Sequence, residues 1–157
     1  FWGVLPAPLL YLSLAFKQHR QEYYRHLDKV RTEGNWESWI AFFLQCVIES
    51  ARNGIETARK LLACTNADRK ALINHELATV YSIRLLDLLP ENPMLTLGRT
   101  MTILNTSKPT AAKALDILNK TGILKEVTGR RRDRVYAYQK YLDLLAADTE
   151  IYPSGLI

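Results

Sequence analysis

The residues best suited to chemistry in this chain are cations. Arg130, Arg131, Arg132 and Arg134 stand within five positions, directly after Thr128-Gly129. A short tip cannot bury four guanidiniums, and a row of them suits a phosphate backbone or a narrow, strongly negative minor groove. Some twenty residues earlier, Lys108, Thr110 and Lys113 follow Ser107 and Pro109 at what reads as the start of a helix. Cations and a small hydroxyl there face a polyanion in a region whose free amide N–H groups already favour phosphate. Lys108 and Lys113 have the length to reach guanine or a phosphate, and Thr110 offers a methyl to thymine. The first two turns hold no Arg, Asn or Gln for bidentate base reading.

Charge is concentrated in the same place. Between Leu97 and Lys140 there are ten Lys or Arg against three carboxylates, a net +7. The chain as a whole carries +5, so the remainder sums to −2. A local excess of this size draws a polyanion and releases its counterions. A short charge run is also an ordinary solvated surface, and both readings stand at this point.

No catalytic constellation is legible. His19, His26 and His75 sit on expected helices without a neighbouring Cys or Asp pattern, and read as packed or surface histidines. Cys46 and Cys64 lie eighteen positions apart. On one helix that is roughly 27 Å, too far for a disulfide. Unbridged thiols fit a reducing, cytoplasmic setting. Two cysteines and three scattered histidines make no zinc site. Tyr23-Tyr24 and Trp36 with Trp39 could line a pocket, though core packing explains them equally. No glycine-rich phosphate loop of the GxGxxG or GxxxxGKS/T form is present. No run of 18 apolar residues predicts a membrane span. The opening FWGVLPAPLLYLSLAF has neither a basic leader nor Met, and reads as the cut edge of a larger protein.

Three long helical patterns come first. Ser13 can cap a helix to about Val30, with Phe16, His19, Tyr23, Leu27 and Val30 at helical spacing. After a loop at Arg31–Asn35, a second helix runs from Trp36 to about Ala63, with Trp39, Phe42, Phe43, Cys46, Val47, Ser50, Ala51 and Gly54 on its apolar, small-residue face. A third spans Ala67 to Leu89 and stops before Pro90. Glu91–Pro93 is the expected module boundary, which separates a helical region (1–90) from a basic module (91–147) and a loose tail (148–157).

In the basic module, Leu97–Leu104 predicts a supporting helix with Leu97, Met101 and Leu104 inward. Asn105-Thr106 makes a turn, and Ser107 caps a second helix packed through Ala111, Leu115 and Leu118. Gly122 stops it. A strand at Ile123–Val127, the turn TGRRRDR and a return strand at Val135–Tyr138 form one ribbon, with Val135 and Ala137 on one side and Tyr136 and Tyr138 on the other. Tyr141, Leu142 and Leu145 suggest a closing helix. The expected fold class is mainly α: a helical bundle followed by a winged helix-turn-helix domain. The second helix would enter the major groove of double-stranded DNA. Docking to a protein partner, or homodimer formation, is the alternative.

Two stretches together resemble the C-terminal half of bacterial Fic-family proteins. Residues 6–47, with the pieces LYLS, HRQEYY and GNWESWIAFFL, resemble the helices that follow the Fic active site. Residues 121–145, TGILKEVTGRRRDRVYAYQKYLDLL, resemble the wing and last helix of the winged domain appended to long members. The resemblance covers about Leu5 to Leu145. It implies an intact parent that transfers AMP from ATP to protein hydroxyls with a divalent metal, and a regulatory or DNA-binding role for this part. The HPFxxGNGR motif that carries the transfer is absent, as is the inhibitory Ser/Thr-x-x-x-Glu-Gly/Asn helix, so no catalytic or cofactor residue carries over and no transfer is expected from this chain alone. Where the winged domain has an apolar-Gly turn, this sequence has Leu104-Asn105-Thr106-Ser107.

Overall fold

A computed structural model describes residues Leu12–Ala147. The expected tail at 148–157 and the first eleven residues lie outside them. Among the described residues the chain is mainly helical, with seven helices and a small open sheet. The order is α1 (Leu12–Gln18), α2 (Arg20–Glu33), α3 (Trp36–Ile73), α4 (Val80–Leu88), β1 (Met94–Thr96), α5 (Leu97–Leu104), α6 (Lys108–Lys120), β2 (Lys125–Glu126), β3 (Val135–Ala137) and α7 (Gln139–Ala147). Among the described residues no helix is long and apolar enough to cross a membrane.

The chain divides into two compact units, the first reaching Arg59 and the second running from Lys60 to Ala147. The division does not fall at Glu91–Pro93. Leu72, Leu85, Leu86 and Leu89 share one apolar core with Leu104, Leu118 and Leu124, so contacts continue across the proline-rich stretch.

In the first unit, Ala15, Phe42 and Cys46 are buried, with Phe16, Tyr23 and Trp39 packed on them. Burial, seconded by Glu49 and Glu22, holds the Cys46 thiol above its ordinary range. The Phe16 ring lies 5.3 Å from Tyr23 and 6.2 Å from Phe42; Tyr23 and Trp39 are half-buried against this core, while Tyr24 and Trp36 are exposed. Ser13 lies inside α1 rather than capping it, the pattern breaks at His19, and α2 continues past Val30 to Glu33. His19 Nε2 lies 2.9 Å from Glu49 Oε2, a partner thirty residues away that local sequence could not announce. Gly34, at φ 68°, ends α2 in the left-handed region that glycine adopts without strain.

The second and third expected helices are differently divided. No break occurs at Cys64–Asn66, because α3 runs unbroken to Ile73. Cys64 is buried in the core there, and the Thr65 hydroxyl donates back to the Leu62 carbonyl. The break falls at Asn74–Thr79 instead. His75 Nδ1 accepts the Leu77 N–H, and Thr79 and Ser82 form a reciprocal capping box for α4. His75, Leu77 and Val80, which lie inside the third expected helix, are exposed around this turn.

The sheet has three strands, not the two of the expected ribbon. Its order is β1-β3-β2, antiparallel throughout. Met94 pairs with Ala137 and Thr96 with Val135, while Lys125 faces Ala137 across the other edge. The strand expected over Ile123–Val127 is confined to Lys125–Glu126. Ile123 and Leu124 drop into the core before it, and the Leu124 N–H donates to the Leu118 carbonyl. Tyr138 lies beyond β3, so strand alternation does not govern it. It is fully buried beside Ala137, with its N–H on the Pro93 carbonyl.

Candidate functional site

The second unit brings the start of α6 and the β2–β3 hairpin to one groove. Helix α5 is set by Thr96, whose side-chain oxygen accepts the Arg99 N–H. It ends in a Schellman motif: the Asn105 and Thr106 N–H groups donate to the Thr102 and Met101 carbonyls. Asn105 takes φ 46°. Among side-chain-bearing residues Asn tolerates this best, so it does the work of a turn glycine.

Helix α6 then presents Ala111, Ala114, Leu115, Ile117 and Leu118 to the core. Lys108, Ala112 and Lys113 are exposed. Ser107 is the N-cap residue but makes no side-chain cap bond. Its hydroxyl lies 3.0 Å from Thr110 Oγ1, and Thr110 is half-buried. The two hydroxyls satisfy each other, which removes Ser107 from the cap expected of it. Asp116 and Lys120 pair at 2.7 Å farther along the exposed face.

The hairpin tip is shaped by Glu126. Its carboxylate accepts the Thr128 hydroxyl, the Thr128 N–H at 2.7 Å and the Gly129 N–H at 2.9 Å. Those bonds, the Thr128 hydroxyl foremost, hold the Glu126 carboxyl below the usual carboxylate range. Thr128 Oγ1 in turn accepts the Val135 N–H at 3.3 Å, and the Val127 N–H donates to the Val135 carbonyl. Gly129 (φ 62°) and Asp133 (φ 52°) take the left-handed conformations that fold the tip back. Arg134 Nε donates to the Arg130 carbonyl at 2.9 Å. Arg130, Arg131, Arg132 and Arg134 are all exposed, and none is in an ion pair with another described residue.

Between these parts lies a cavity of about 750 Å³, lined by Thr96, Leu97 and Gly98 from the start of α5, Lys108 and Ala112 from α6, and Arg131, Arg132, Arg134 and Tyr136 from the hairpin. Asp133 also lines it and is the single carboxylate among the described lining residues. Of the residues singled out from sequence, Lys108, Arg131, Arg132 and Arg134 therefore converge on one groove. Thr110, Lys113 and Arg130 do not line it.

A second cluster lies just after β3. The Tyr138 hydroxyl donates to Asp68 Oδ2 at 2.6 Å, and Lys140 Nζ donates to Asp68 Oδ1 at 3.2 Å. Cys64 Sγ lies 3.6 Å from the Tyr138 oxygen, and the Tyr138 ring stacks on Tyr141. Burial first, then the bond to Asp68, pushes the Tyr138 hydroxyl far above its ordinary range, and the Asp68 bond also raises Lys140. Sequence reasoning missed Glu126, Asp68 and Tyr138. Only Glu126, two residues before Thr128-Gly129, offered a local hint. Among the described residues no group of three or more His, Cys, Asp or Glu is placed to hold a metal ion. A scan of the chain against protein-family models found no match.

Proposed function

We propose that the part of the chain from about Glu91 to Ala147 is a winged helix-turn-helix module that binds double-stranded DNA. The observation that carries this reading is the groove in which Lys108, Arg131, Arg132 and Arg134 converge with one carboxylate among them. Helix α6 is the element for the major groove, with Lys108, Thr110 and Lys113 at its leading end. The hairpin is the wing, whose Arg130, Arg131, Arg132 and Arg134 grip the backbone or minor groove. Binding is driven mainly by phosphate contact, and the sequence preference is modest, since the first two turns of α6 lack base-reading side chains.

The likeness of residues 6–47 and 121–145 to Fic-family proteins supports a wider role. On this reading the module locates or regulates a parent enzyme that uses ATP and a divalent metal to transfer AMP to protein hydroxyls, and the transfer chemistry lies outside this chain.

Selection of duplexes at about 150 mM salt, with an Arg130/Arg131/Arg132→Ala variant in parallel, tests the DNA reading. The wild type is expected to enrich duplexes and the variant to lose them. The slope of log K against log salt should become shallower by about 2.7 if all three arginines meet phosphates, each contributing about 0.9. No duplex binding by the wild type even at about 20 mM salt would overturn the reading and favour protein docking through the same surface.

A further inference from the structure

Helix α3 is apolar on two opposite sides, and among the described residues of the first unit only one of them is covered. Phe42, Cys46 and Ser50 are buried. On the far side, Ala41, Leu44, Ile48, Ala51, Ile55 and Ala58 follow one another at alternating three- and four-residue steps. That alternation is the a/d seam of a coiled coil, sustained from Ala41 to Ala58 with Ile48 and Ile55 at consecutive a positions. The seam is open: Leu44 is 52% exposed, Ile48 45% and Ile55 54%, and Ile40 beside it is 52% exposed.

We infer that this seam pairs with the same seam of a second copy, as a parallel, in-register two-helix contact. Three observations select that occupant. The seven-residue period matches a partner with the same period, and a second copy supplies it. The branched isoleucines at a, with Leu44 and alanines at d, suit a two-stranded parallel pair. The flanking charges agree: Arg52 and Arg59 hold the e positions, while Val47 and Gly54 hold g. A parallel pair sets each arginine against Val47 or Gly54 of the other copy, whereas an antiparallel pair would set arginine against arginine. Covering the seam and its flanks removes roughly 1,000 Å² over two copies, about the lower bound for a specific interface. The contact is independent of DNA and stands or falls apart from the reading of the basic module.

Sedimentation equilibrium of the whole chain from about 1 to 200 µM tests it. The wild type is expected to pass from monomer to dimer. An Ile48→Asp/Ile55→Asp variant should stay monomeric with unchanged helical circular dichroism, because both side chains are already exposed in one copy. Mild oxidation of an Ala51→Cys variant should yield a disulfide-linked dimer, since d positions meet across a parallel pair; Asn53→Cys, on the far side of the helix, should not. A wild type that remains monomeric throughout, or a dimer untouched by the double Asp substitution, overturns the pairing. Cross-linking of Ala51→Cys no faster than that of Asn53→Cys overturns its parallel register. Should the Asp variant lose helicity, the cysteine pair decides the matter alone.

Discussion

Removing a single oxygen from Tyr138 tests how the hairpin is anchored. In Tyr138→Phe the ring keeps its place against Tyr141, but Asp68 loses its shortest hydrogen bond, 2.6 Å from a fully buried hydroxyl. A bond to an ionised acceptor contributes about 1.5–3 kcal/mol. Asp68 keeps Lys140 at 3.2 Å and its side chain is 16% exposed, so water can reach it and the loss falls in the lower part of that range, about 2 kcal/mol. Native-state hydrogen exchange reads this within the second unit: amides of Leu115, Ile117 and Leu118 should exchange roughly 30-fold faster at neutral pH. The pH dependence has a definite sign. The hydroxyl's pKa is raised in the folded state, so its contribution is complete below the ordinary tyrosine value of 10.0 and fades as pH rises past it, when only the unfolded chain ionises. The stability gap between wild type and variant, measured by urea unfolding, should therefore narrow by about 1.4 kcal/mol between pH 9 and pH 11. Exchange rates within about threefold of wild type, or a gap that does not change with pH, would refute the anchoring role.

Two further outcomes follow from the same unit. Glu126 carries a lowered pKa, so the order it confers on the tip is present above the ordinary carboxylate range and is lost as pH falls through the depressed value. An NMR titration should find its midpoint below 4.5 with the Thr128 and Gly129 amides reporting the same transition, and a midpoint at or above 4.5 would exclude the proposed set of bonds. Asn105→Ala forces a β-carbon without a compensating side chain into a φ of 46°. It should cost about 1 kcal/mol, or roughly 5 °C in thermal midpoint, while Asn105→Gly is neutral or stabilising; an Ala variant as stable as the Gly variant would contradict this.

Periodicity, turn chemistry and charge made much of the second unit readable from sequence. Leu97–Leu104, the helix from Lys108 and the stop at Gly122 rest on local rules, because Asn and Gly adopt left-handed backbone and Pro109 fits a first turn. The row Arg130–Arg134 could only be surface, since no core of this size pairs four guanidiniums. The hydrophobic pattern of α3 was visible too, although the absence of proline or glycine near both Cys64 and Asn74 left the place of its end undetermined.

Tertiary structure decided the rest. Helix α3 passes through Cys64 because that residue has a core to enter, and it stops after Ile73 where His75 and the Thr79–Ser82 box take over the backbone groups. Three residues, Met94–Thr96, carry too short a pattern to announce a strand. They become one only because β3 offers a paired edge. Asp68 and Tyr138 meet across seventy positions, His19 and Glu49 across thirty, and the groove exists only once α5, α6 and the hairpin are packed. Local sequence determines which backbone conformations and faces each segment prefers, since those energies lie within a few residues. Which faces meet, and which cations end up around one cavity, is settled by burial shared between distant segments.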